Sequence, residues 1–475
     1  MHFPLVLSED RTIRLHERLI AAVTEAIDGG RLSPGSSMPS SRILASSLGI
    51  ARATVSKAYE ELHRSGHLVS KPGGKTFVGA RSSQAGATSV RLSVAPGSDP
   101  KLSQYARRLK QATIRREASA HMAAINYGAP PPWVLPVAAW RQTFTKYCNN
   151  LDPDQIEHNP HPFGYLPLRE AVADYLARRK AVSCTEHQVM ILAESQSALS
   201  YAARLLLDEG DVVIVENPGF YGARNIFNAY GAEVIPVPID DQGLSIEALR
   251  QQLHRKIKLI YVTPSFHDPT GVCMSLSRRQ ELLQIAREHD ILIVEDAWDS
   301  DHVFISPHLP CLQGLSLEQN VFYIYSFWKS LYPLCLVGCL VVPDKYAAIF
   351  AQEKQITATI NPILEHYTLA EFIKEGLLEK QLKTISRQLT RMRQSLIRKL
   401  INVFGQAVLI KKQSSAFWLT VQIDQTIFKG DIRQVAQDAD LAMISTEPYY
   451  VGKLTAPHKE FLVPFFNMSY PKSAG

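Results

Sequence analysis

Lys329 sits in the stretch "SFWKSLYPL" (326–334), just after the apolar run "NVFYIY" and just before another, "CLVGCLVVP". An amine between two strand-like runs is either a solvated loop charge or a nucleophile held in a pocket, where it condenses with a carbonyl compound to a Schiff base. Other strand-like runs end in short stretches that could also carry chemistry: Ser195-Gln196, Pro218-Gly219-Phe220, "SFHDPTG" (265–271) with His267 and Asp268, and "EDAWD" (295–299) with Asp296. Each has a plain alternative when taken alone. Asp296 reads equally as a strand-end carboxylate, Phe220 as a core aromatic and His267 as a packing histidine.

The elements around these residues suggest how they could meet. Beyond about residue 126 strand-like and helix-like runs alternate: "QVMILA", then "SQSALSYAARLLLD"; "DVVIVE", then "GFYGARNIFNAYG"; then "EVIPVPI", "IKLIYVTP", the helical "SRRQELLQIAREHD", "ILIVED" and "NVFYIYS". Short β-rich runs bounded by helices predict an α/β domain whose largely parallel sheet is covered on both faces. Such sheets place ligands at the carboxyl ends of their strands, where the residues above lie.

The front of the chain has a different pattern. "TIRLHERLIAAVTEAID" is amphipathic and stops at Gly29-Gly30; Ser40 can cap "SRILASSLG", and "RATVSKAYEELHRSG" follows to Gly66. Two short helices joined by a tight turn predict a helix-turn-helix, and "HLVSKPGGKTFVGA" predicts a β-hairpin wing. Ser41 and Arg42 open the second helix, Arg52, Thr54 and Lys57 lie on the third, and Lys71 and Lys75 flank the wing turn. A helix presenting its N-terminal residues to base edges, with flanking cations for phosphates, fits double-stranded DNA. The other reading is a small helical packing module with a charged face.

Charge supports a polyanion partner for this end. Residues 1–80 hold ten Lys/Arg against seven Asp/Glu, 81–125 eight against two, and the remainder 33 against 36, so the net +6 of the 475-residue chain is N-terminal. The Ser/Ala/Gly-rich segment "ARSSQAGATSVRLSVAPGSDPKLSQ" reads as a basic linker, with a short helix in 105–120. The expected division is 1–80, linker 81–120, and 121–475. The longest apolar run is well short of the ~18 residues of a membrane span, and no secretory core follows the N-terminus, so the expected place is the cytoplasm, without membrane contact. Six scattered cysteines, without a CxxC pair or a His-rich neighbour, predict reduced thiols and no metal site.

The run "GRLSPGSSMPSSRILASSLGIARATVSKAYEELHRSGHLVSKPGGKTFV" resembles the GntR-family winged helix, departing at the wing tip, where Gly74-Lys75 precede Thr76. The strand-end stretches, with "FGYLPLREAVADYL" and "GVCMSLSRRQELL", resemble fold-type-I aminotransferases that use pyridoxal phosphate, and the tandem is similar to MocR (GabR-like) regulators. The resemblance implies a homodimer in which Lys329 is the Schiff-base lysine, Asp296 the pyridinium partner and Phe220 the stacking ring. It places Ser195, Gln196 and Ser326 in the phosphate cup and Asp268 where the family has Asn or an aromatic residue. Several positions depart: Leu336 stands for the phosphate arginine, Trp328 for a serine, Glu194 for a glycine, Trp298 for a tyrosine, and Leu462 for the arginine that clamps a substrate carboxylate. The expectation is therefore a DNA-binding regulator that senses pyridoxal phosphate or a small amino compound, with transamination not expected. The other two readings are an aminotransferase with an appended DNA-binding domain and a regulator with a cofactor-free dimerisation domain.

Overall fold

The computed structural model describes residues 13–28, 31–33, 35–71, 75–79, 101–111, 134–150, 161–298, 309–357, 362–411, 417–452 and 458–465. Most of the linker, the Lys71 and Lys75 side chains, Asp299 and the tail "YPKSAG" lie outside these. The chain divides into two compact units, Met1–Pro100 and Lys101–Gly475. Among the described residues no helix is long and apolar enough to cross a membrane, and no group of three His, Cys, Asp or Glu is placed to hold a metal ion.

In the first unit α1 (Leu15–Asp28), α2 (Ser41–Leu48) and α3 (Arg52–Arg64) precede the hairpin β1 (Leu68–Lys71) and β2 (Lys75–Val78). The Ser40 hydroxyl accepts the Ile43 N–H at 3.3 Å and so caps α2. Gly49 ends that helix with φ 64°, a left-handed conformation that costs glycine little, and the chain turns there into α3. Leu19, Val23, Leu44, Val55, Leu62, Leu68 and Val78 form the core, one apolar stripe from each element.

The second unit is built on an eight-stranded sheet in the order β3-β10-β9-β8-β7-β4-β5-β6. Its strands are β3 (Val189–Leu192), β4 (Val212–Asn217), β5 (Glu233–Asp240), β6 (Gly243–Leu244), β7 (Ile257–Val262), β8 (Leu292–Asp296), β9 (Val321–Ser326) and β10 (Gly338–Val341). β5, β4, β7, β8 and β9 are mutually parallel, whereas β10 runs antiparallel between β3 and β9. Every residue of β8 and β9 is buried, the pattern of strands covered on both faces. The α/β reading holds. A smaller sheet, β11 (Val408–Ile410), β12 (Trp418–Asp424), β14 (His458–Pro464) and β13 (Ile444–Ser445) in that order, packs on the 28-residue helix Leu377–Phe404 through Ile385, Leu389, Leu396 and Leu400.

Candidate functional site

The carboxyl ends of β4, β7, β8 and β9 converge on a cavity of about 240 Å³ lined by Glu194, Ser195, Gln196, Phe220, Tyr221, Tyr261, Asp268, Asp296, Trp298, Ser326, Trp328 and Lys329. All seven residues expected there from the sequence line it. Ser195 and Gln196 open the helix Ser195–Leu206, with Glu194 at its N-cap. Phe220 follows β4, and a Cβ on Gly222 would stand 2.4 Å from its Cζ, so the glycine leaves the ring its place. Lys329 lies on the single turn Trp328–Leu331 and is 5% exposed. The Ser326 hydroxyl accepts the Trp328 N–H at 3.2 Å and so fixes the start of that turn.

Four rings surround the Lys329 ammonium. Its Nζ lies 4.7 Å from the ring centroid of Trp298, 4.9 Å from Trp328, 5.1 Å from Trp418 and 5.2 Å from Phe417, all within cation–π range. Trp298 and Trp418 stack at 5.2 Å with an interplanar angle of 14°, and each indole N–H is anchored on a backbone carbonyl of the 265–271 loop, Phe266 and Pro269. Phe417 and Trp418 come from the start of the small sheet and were not expected from the sequence.

Asp296 is 2% exposed; Oδ2 accepts the Tyr261 hydroxyl at 2.9 Å, while Oδ1 has no hydrogen-bond partner among the described residues. Burial pushes its pKa up to about 7, against the pull of that hydrogen bond and of one from the Trp298 backbone N–H. Tyr261 was missed because it reads as one more apolar strand residue; the available signal was that a buried tyrosine needs a partner for its hydroxyl. Deeper, Glu216 Oε2 accepts from the Thr263 N–H and hydroxyl at 2.9 and 2.7 Å, and burial lifts this carboxyl also to about 7. His267 Nε2 stands 3.6 Å from it, too far for a hydrogen bond, and burial lowers the imidazole to about 3. The imidazole is therefore uncharged near pH 7, and the two do not form an ion pair. His267 shares a hydrogen bond of 2.8 Å with Thr270, as a packing histidine would.

In the first unit Arg42, Arg52 and Lys57 are exposed, and Ser41 and Thr54 partly so. Arg52 opens α3 and donates through Nε to the Ser41 hydroxyl at 3.4 Å, so both helices of the motif present one polar edge.

The description "Aminotransferase class I and II" matches residues 131–469, and "Bacterial regulatory proteins, gntR family" matches 15–78. Over 383 residues, 81% of this chain and 76% of the relative, the sequence is 32% identical to a probable rhizopine catabolism regulatory protein, MocR, of Rhizobium meliloti. The chain belongs to the MocR-type transcriptional regulators. It is also 30% identical over 369 residues, 76% of this chain and 74% of the relative, to the HTH-type regulator TauR of Rhodobacter capsulatus. The pyridoxine biosynthesis regulator PdxR of Corynebacterium glutamicum is 26% identical over 399 residues, 83% of this chain and 80% of the relative. Among solved structures, the kynurenine aminotransferase of Pyrococcus horikoshii is 25% identical with a TM-score of 0.64, covering 71% of this chain and 84% of that one.

As a MocR-type regulator the protein carries the fold of a family that typically binds pyridoxal phosphate, and the cavity fits that molecule in one half only. For the ring, Asp296 offers a buried acceptor without a partner, Phe220 a face and Lys329 an amine. For the phosphate, Lys329 is the only basic side chain among the described lining residues. Leu336 does not line the cavity; it is 40% exposed, and its backbone N–H is taken by the Glu365 carboxylate. Leu462 is fully buried in β14 opposite Thr420, with no charge to offer a substrate carboxylate.

Proposed function

We propose that this regulator binds a pyridoxal-type compound, pyridoxal phosphate or a relative of it, in the Lys329 cavity and that binding alters its affinity for DNA. The observation that carries the reading is the convergence of Lys329, Phe220 and the partnerless Oδ1 of Asp296 in one cavity. When bound, such a compound supplies a carbonyl carbon that condenses with a lysine amine and releases water. The chain's own residues place the ring: Asp296 would accept its N–H, Phe220 would cover one face, and Gly222 keeps that phenyl in position. The pyridoxine biosynthesis named for one relative is consistent with this ligand class. A ligand that binds two conformations unequally is sufficient to change DNA affinity, so no substrate clamp is required.

Pyridoxal or its phosphate, added to the full-length protein, is expected to give a visible absorption band that Lys329→Ala lacks. Borohydride should then fix the added mass on Lys329, and affinity for the protein's own upstream DNA should change by about 5- to 150-fold. No band with either compound at millimolar concentration, with DNA binding intact, would leave the large domain as a scaffold. Rapid turnover of an amino donor would favour the enzyme reading.

The DNA half of the proposal places Arg52 and Thr54 at base edges and Arg42 and Lys57 at phosphates, with Ser41 steadying Arg52 and the wing lysines Lys71 and Lys75 beside them. Two chains, associated through their large domains, would cover two half-sites. Arg52→Ala is expected to weaken specific binding by about 1–3 kcal/mol and non-specific binding by much less. Gel-shift titration against specific and random duplexes measures the difference, and sedimentation should show two chains per operator duplex. Equal losses on both duplexes would reduce Arg52 to a phosphate contact.

A further inference from the structure

We infer that the Lys329 cavity prefers the phosphate-free members of this ligand class, a hydroxypyridine bearing a neutral alcohol or aldehyde, over their phosphate esters. The inference rests on the reading of the cavity as a pyridine site and adds the sign of the charge it tolerates. Among the described residues that line the cavity three are acidic, Glu194, Asp268 and Asp296, and one, Lys329, is basic. That cation faces the rings of Trp298, Trp328, Phe417 and Trp418, whose faces stabilise an ammonium and give nothing to an anion.

The helix Ser195–Leu206 does aim its N-terminus at the cavity, but its N-cap is Glu194, which already brings a carboxylate to that end. A phosphate dianion would thus enter beside like charge, with no guanidinium among the described lining residues to fork onto it. The ring end makes the opposite demand. Oδ1 of Asp296, in a side chain 2% exposed, requires a donor, and a pyridinium N–H supplies one without bringing net negative charge.

Pyridoxine and pyridoxine 5′-phosphate isolate the question, because they differ by the phosphate alone and neither has a carbonyl for Lys329. Titrating each into the full-length protein at pH 7.5, followed by calorimetry or by tryptophan fluorescence, is expected to show pyridoxine binding at least tenfold more tightly. High salt should narrow the ratio, since it screens repulsion and leaves steric exclusion untouched. Glu194→Gln combined with Leu336→Arg and Glu365→Gln should narrow it further, the last change freeing the arginine from a competing carboxylate. A ratio below about threefold, or a preference for the ester, overturns the inference while leaving the pyridine site in place. Failure of both compounds to bind overturns the pyridine site itself, and so does binding that Asp296→Asn leaves unchanged.

Discussion

Arg279→Ala should lower the unfolding free energy of the large unit by about 3–5 kcal/mol, the usual cost of removing one member of a buried charged network. Arg279 is fully buried and donates to three carbonyls: Nε to Met274 at 3.1 Å, Nη1 to Pro310 at 2.9 Å and Nη2 to Pro264 at 2.9 Å. Two of those acceptors bracket the loop that carries Asp268 and the anchors of both stacked indoles. The arginine's charge also opposes the rise that burial imposes on Glu295, a carboxyl with no exposure. Alanine would take the guanidinium from all three carbonyls and its charge from Glu295, leaving the Pro264 carbonyl the Met274 N–H at 2.8 Å and Glu295 the Gln313 N–H at 2.9 Å; lysine, which keeps the charge but not the planar fork, should recover part of the loss. Urea denaturation followed by circular dichroism measures both. A change under 1 kcal/mol would mean that water replaces the guanidinium and that the loop is held by its other contacts.

Asp296→Asn is expected to stabilise the ligand-free protein by about 4 kcal/mol at pH 8 relative to pH 4. A carboxyl whose pKa rises on folding, here from 3.8 to about 7, stabilises the fold while protonated. Its contribution is complete below about 4 and is lost as pH rises through 7. Glu216 tilts the curve the same way. His267 and His366, lowered by burial to about 3 and 4, tilt it the other way, because they cost stability as pH falls below 6.5. The wild-type curve is the sum of these opposing slopes, whereas the difference between variant and wild type isolates Asp296. A difference that does not change between pH 4 and 8 would place the Asp296 pKa at its ordinary value. Stability gained by removing a carboxylate that ligand binding requires would be the thermodynamic trace of a site kept for function.

The parallel strands β4, β7, β8 and β9 were legible because each is a short β-rich run that is almost wholly buried, and the position of Lys329 because four other strand ends point to the same edge. The reversed direction of β10 was not, since an apolar run such as "CLVGCLVVP" carries no sign of its polarity. The cage was less legible still. Trp418 lies 120 positions after Trp298, and only the closure of the small sheet against the 265–271 loop brings the rings together. Nor does sequence reveal that His267 stays uncharged beside Glu216, because that depends on solvent exclusion and on a separation of 3.6 Å.

The stacked indoles also make the molecule its own optical gauge. Trp298 belongs to the end of β8 and Trp418 to β12, so their separation is the separation of two sheets. Two indoles in near-parallel contact couple electronically, and their near-ultraviolet circular dichroism depends steeply on spacing and angle. A change in that spacing or angle would therefore be visible without a label in the DNA-free protein.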